Sequence, residues 1–139
     1  MTSPKHSSKK TKHFETLFKK KQTQHYERKF KKLQKILKEF KDKDLKVAAL
    51  GASTKGNVTL QTWGITANDI LAVGDVNPDK HGSLTPGTWI PIRDEDEVLA
   101  YYDAFVVLPW HFKEFFIKNP KFKGKKLIFP LPTLDVVVP

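Results

Sequence analysis

A chain of 139 residues and 16.0 kDa has room for one domain. With no cysteine it cannot hold a disulfide, a thiolate zinc site or a cysteine nucleophile. Its formal charge of +10 is unevenly spread, since residues 1–46 carry sixteen Lys or Arg against five Asp or Glu and residues 47–139 carry nine against ten.

No apolar run approaches the roughly 20 residues of a membrane span, and the basic start is not followed by the apolar region of a secretory signal. A cytoplasmic protein is therefore expected, with a basic arm and a nearly neutral body. Residues 1–13 mix Ser, Thr, Pro and Lys without periodicity and predict a disordered basic tail. From Phe14 the pattern changes. Phe14, Leu17, Phe18, Tyr26, Phe30, Leu33, Leu37 and Phe40 recur mostly at spacings of three and four, which predicts a basic amphipathic helical arm, or two helices, over 14–41. Three readings suit such a helix: packing on the body with its lysines solvated, contact with a partner or second copy, or weak, non-specific binding of nucleic acid or an anionic surface.

Residues 42–139 alternate strand and helix patterns. Lys46–Leu50 reads as a buried strand broken at Gly51, and the helix that follows is expected near Asn57–Trp63. Leu71–Asp75 is a second strand, and Val76–Gly82 is turn-rich. A short edge strand or extended loop is expected around Thr88–Ile90, between Pro86-Gly87 and Pro91. Asp94 to Tyr101 starts with four acids suited to a helix N-terminus. Phe105–Leu108 is a buried strand, Phe112–Lys118 a helix, and Lys126–Phe129 the last core strand. This order predicts an α/β fold with a mostly parallel sheet of 4–5 strands and right-handed crossovers.

Parallel sheets of this kind bind ligands beyond the carboxyl ends of their strands. In a 3-2-1-4-5 order, the loops Gly51–Asn57 and Pro109–His111 face each other. Ser53, Lys55, Asn57, Trp110 and His111 then line one cleft, with Asp75 and Asn77 on its flank. Ser53, Thr54, Lys55 and the loop amides suit a diphosphate cradle. The spacing from Gly51 to Lys55 is one residue short of a nucleoside-triphosphate loop. Asp75, some twenty residues on, stands where a carboxylate holds ribose hydroxyls, or else it forms a turn. Asn77 suits a base or sugar hydroxyl, and Trp110 a stacking wall. His111 suits a proton-transfer group, a phosphate contact or a helix-capping surface residue. Gly51, Gly56, Gly82 and Pro109 are read as structural turns. The histidines at 6, 13, 25, 81 and 111 lack metal-ligand spacing, and no catalytic residue or metal site is assigned. The reading is a binding module.

Gly51-Ala52-Ser53-Thr54-Lys55-Gly56-Asn57, Asp75 to Gly82, Pro86-Gly87-Thr88-Trp89-Ile90-Pro91-Ile92, Leu108-Pro109-Trp110-His111 and Phe129-Pro130-Leu131-Pro132 form an ordered set. Together they resemble the C-terminal domain of SAM-dependent nucleotide-sugar C-methyltransferases, over roughly Leu37 to Val137. The resemblance implies a Rossmann-like three-layer sandwich that helps hold a nucleotide-sugar. It also implies that this domain alone binds no cofactor, SAM and the catalytic base belonging to a partner domain. The matching expectation is a nucleotide-sugar or nucleotide ligand, with a SAM-dependent methyltransferase chain or a second copy engaged through residues 14–41. The alternative is a structural or protein-interaction module that uses the same fold without catalysis.

Overall fold

The structure, a computed structural model, describes residues 27–139. The expected disordered tail and the first half of the expected arm lie outside the described residues. Helix α1 occupies described residues 27–42. It turns Leu33 and Leu37 into the core and rests Phe30, Ile36 and Phe40 on the same cluster. Lys31, Lys32, Lys35, Lys38 and Lys41 stay on the exposed side.

The chain continues as β1 (Val47–Leu50), α2 (Thr54–Thr62), β2 (Val73–Asp75), β3 (Ile92–Asp94), α3 (Glu95–Tyr101), β4 (Ala104–Val107), α4 (Lys113–Lys118), β5 (Lys126–Phe129) and β6 (Asp135–Val137). The sheet order is β3-β2-β1-β4-β5-β6, with every neighbouring pair parallel except β5 and β6. β1 and β4 are buried at every residue, which is why they read as continuous apolar runs rather than alternating ones.

Because side chains alternate across a strand, the sheet divides the core into two halves. Val47, Ala49, Val73, Val106 and Ile128 meet Leu33 and Leu37 of α1 and Leu60 of α2. Ala48, Leu50, Phe105, Val107, Leu127 and Phe129 meet Val98 and Leu99 of α3, Phe116 of α4 and Phe122. The result is a three-layer, Rossmann-like α/β sandwich. No helix of the described residues is long and apolar enough to cross a membrane.

Three details differ from expectation. The sheet has six strands rather than 4–5, because β6 pairs antiparallel with β5 through Leu127 with Val137, Ile128 with Val136 and Phe129 with Asp135. Around Thr88–Ile90 the chain is a loop, the second of the two alternatives, closed as a turn rather than extended, and the edge strand is Ile92–Asp94. Trp89 sits at φ 58°, outside strand conformation, and Thr85 closes a turn by accepting from Ile90 N–H and Trp89 N–H. Finally, α2 starts at Thr54 rather than Asn57. Ser53 is extended and its hydroxyl accepts from Gly56 N–H at 3.0 Å, capping the helix three residues early.

Candidate functional site

The strand order reverses between β1 and β4, the position where an open sheet of this kind leaves a crevice. Gly51 follows β1 with φ +90°, a conformation that favours glycine. A Cβ built on it falls 2.7 Å from Cδ of Pro109, the residue one beyond Leu108 after β4. The Pro109 ring therefore packs directly on the Gly51 backbone and fills the middle of the crevice. Instead of the single cleft expected, two recesses remain, one on each side of this seam.

The smaller recess, ≈ 320 Å³, lies beside α2 and brings together Lys55, Thr59, Leu108, Trp110 and Leu131. Lys55 and Trp110 thus share a recess, as two of the residues assigned to the expected cleft. Ser53 and Thr54 sit just outside it at the helix start, where the first amides of α2 have no carbonyl one turn earlier to bond. Gly56 lets the helix approach β4 closely, since an added Cβ would lie 3.0 Å from both Cβ and Cδ1 of Leu108. Asn57 lies within α2 rather than in the loop, and its side-chain oxygen is buried without a hydrogen-bond partner. His111 packs edge-on against Trp110, ring centroids 4.9 Å apart, and is exposed. It lines neither recess.

Asp75 and Asn77 serve the second loop. One carboxylate oxygen of Asp75 accepts from Ala52 N–H at 2.8 Å and the other from Asn77 N–H at 2.8 Å. Lys80 donates to Ala52 C=O at 2.8 Å, with its Nζ 3.9 Å from the Asp75 carboxylate. His81 Nε2 donates to Asp75 C=O at 2.7 Å, which assigns its proton to that nitrogen. Asn77 caps the Pro78–Lys80 turn by accepting from Asp79 N–H. Gly82, at φ +84°, donates its N–H to Ile92 C=O. The Asp75–Gly82 segment therefore clamps the peptide of Ala52 from both sides and fixes the turn that leads into α2.

A family model for the C-methyltransferase C-terminal domain matches residues 6–132. The chain belongs to that family. The C-methyltransferase NovU of Streptomyces niveus is 30% identical over 95 residues, covering 66% of this chain and 23% of NovU. The chain thus spans about a quarter of the length of that relative. The family match begins well before Leu37, so it takes in the basic segment as well as the body, and it ends before β6.

In this C-terminal domain the larger recess, ≈ 490 Å³, is the one that sequence reasoning missed. Gly51, Asp75 and Pro109 form its base, and Phe112, Phe115 and Lys121 are among its walls. Its volume lies in the ordinary range for small-molecule sites. Phe112 and Phe115 are 58% and 60% exposed. The signal was available: Phe115, Phe116 and Ile117 lie in a helix of six residues with Phe112 just before it, more apolar surface than one buried face can absorb, and of these only Phe116 is buried. Lys121 bridges Glu95 at 2.8 Å and Asp96 at 2.9 Å. Burial pulls its ammonium pKa down. The hydrogen bonds and charges of Glu95 and Asp96 outweigh that, and the pKa ends above the ordinary lysine value.

Proposed function

We propose that this domain holds a nucleotide-linked sugar at the carboxyl edge of its sheet, as the substrate-binding part of a C-methylation. The diphosphate lies at the start of α2, against the free amides of Thr54 and Lys55 and the Lys55 ammonium. A helix N-terminus attracts negative charge through its unpaired N–H groups and its dipole. Trp110 supplies the flat apolar wall for a ring of the ligand. What carries the reading is one observation: Lys55 and Trp110, far apart in sequence, line one recess beside that helix start.

The methyl donor belongs to a separate SAM-binding domain in this reading. Both Asp75 oxygens accept backbone N–H groups, so this carboxylate holds the loop together. Pro109 packs on Gly51 between the two recesses. We accordingly assign Asp75 and Asn77 to loop architecture and derive no methyl-transfer step from them. The chain's own part is to bind and orient.

The test is calorimetric titration with nucleoside diphosphates, their sugar conjugates and SAM, with the change in tryptophan fluorescence that Trp110→Phe removes as a second readout. The expected result is saturable binding of a nucleotide-sugar, no SAM binding, and an affinity lower by about tenfold or more in Lys55→Ala, the usual scale for one charge-assisted hydrogen bond. Absence of binding to every nucleotide-sugar, or equal affinity in Lys55→Ala, overturns it.

A further inference from the structure

Among the described residues, five of the cations in residues 47–139 are paired with carboxylates, whereas the lysines of α1 are not. Lys113, Lys118, Lys121 and Arg93 each hold a carboxylate within 4 Å, and Lys80 clamps Ala52 beside Asp75. Among the described residues, no α1 lysine forms such a pair. Lys31, Lys35, Lys38 and Lys41 follow one another at helical spacings of four, three and three, so they form one row along a single side of the helix. The row spans about ten residues, roughly 15 Å of helix.

This row is one wall of a groove of ≈ 560 Å³ between α1 and the connection that follows α2. Phe30 and Ile65 give the groove an apolar floor. Its single acid, Asp69, is spent locally: the carboxylate accepts from Thr66 N–H at 3.0 Å and from the Thr66 hydroxyl at 3.2 Å. Four ammonium groups therefore face a concave surface whose single carboxylate is hydrogen-bonded to Thr66 and forms no ion pair with them.

We propose that this groove docks an acidic amphipathic polypeptide segment from another protein, lying along α1. Such a segment would set carboxylates at matching helical spacings against the lysines and its apolar side on the floor. The chemistry favours a peptide over other anions. A phosphate backbone has no apolar side to lay on Phe30 and Ile65. The row also lacks arginine, whose planar fork is the usual bidentate reader of phosphate. A membrane would require apolar residues turned outward from α1, and Leu33 and Leu37 are turned into the core. Residues 1–26 of the same chain carry seven lysines and one glutamate, the wrong charge for this occupant.

The test is fluorescence anisotropy of the full chain with a labelled synthetic helix, carrying Glu at i, i+4 and i+7 and Leu on the adjoining side. A short DNA duplex and vesicles of phosphatidylserine are run in parallel at the same salt. Saturable peptide binding is expected, weakened roughly tenfold or more in the triple variant Lys31→Gln, Lys35→Gln, Lys38→Gln. The same charge removed outside the groove, by Lys9→Gln, Lys10→Gln, Lys12→Gln, should leave it unchanged. All three groove positions are exposed and glutamine is a good helix former, so the variant keeps its fold. No peptide binding, equal losses in both variants, or tighter binding of duplex or vesicle through the groove lysines overturns the proposal.

Discussion

Asp75 concentrates several tasks in one side chain. It is 8% exposed, and its two oxygens satisfy two loop amides that lie on different segments. Removing an acceptor from buried donors costs more than the bond contributed, because the donors lose water as well. Asp75→Ala should therefore lower the unfolding free energy by about 2–3 kcal/mol, read as a lower denaturant midpoint at unchanged slope. Asp75→Asn keeps one carbonyl oxygen but turns an NH₂ toward the other amide, so it should recover only part of the loss. Full recovery by Asn would mean that a single acceptor suffices there. Gly56 gives a second residue-scale test because two effects oppose each other. In an open helix interior, Gly→Ala is favourable by about 0.5–1 kcal/mol. Here the new methyl would lie 3.0 Å from Leu108 Cβ and 3.2 Å from Gly51 C=O, neither of which can swing aside as a long side chain would. Gly56→Ala should destabilise by about 1–3 kcal/mol, the usual range for overpacking, and a rise in melting temperature would show that α2 can retreat from β4.

Elements joined by few residues expose how much of the architecture a sequence carries. β1, β4 and β5 are legible because buried strands leave unbroken apolar runs, whereas the strand order is not written in the residues: 3-2-1-4-5 is only the common arrangement, and the first five strands adopt it. The start of α2 was misplaced because Ser53 was read as a ligand donor when its hydroxyl is the helix cap. β6 left only a short signal: Val136-Val137-Val138 is a β-branched run that favours a strand, but it ends at Pro139 and shows no alternation of buried and polar residues. The split site was equally hidden, since it arises from contact between Gly51 and Pro109, residues distant in sequence. Lys121 makes a comparable link between elements, joining the turn after α4 to the first turn of α3. Its folded pKa is raised above the usual 10.5, so its contribution to stability is complete below pH 10.5 and is lost as pH climbs through the folded value. The difference in unfolding free energy between the wild type and Lys121→Met should be constant at neutral pH and shrink above pH 10.5. A difference that grows in alkali would contradict the assignment.

Across the whole molecule, the candidate ligand edge and the lysine row sit on different elements, the loops after β1 and β4 in one case and α1 in the other. Loss of one function by mutation therefore need not disturb the other. The sheet that connects them depends on how its last edge is closed. Without β6, β5 would present an unpaired ladder flanked by Leu127 and Phe129, both buried in the native sheet. Such an edge recruits other strands. Residues 133–139 also supply Asp135 to Lys113 and Pro139 C=O to Gly124 N–H, and they bring Val137 onto the α3 and α4 side of the core. A chain ending at Pro132 keeps everything the family model covers. It should retain its far-ultraviolet circular dichroism, because the five parallel strands and four helices remain. It should also melt at a lower temperature and self-associate as concentration rises, seen by light scattering coupled to gel filtration. Adding Lys at Ile128, whose backbone lies on the bared edge, would not be an informative rescue because that side chain is buried. A synthetic peptide of residues 133–139 added in trans is the better one, since it restores the antiparallel pairing itself. If the shortened chain stays monomeric with an unchanged melting temperature, β6 contributes neither stability nor protection, and the edge must be shielded by the twist of β5 alone.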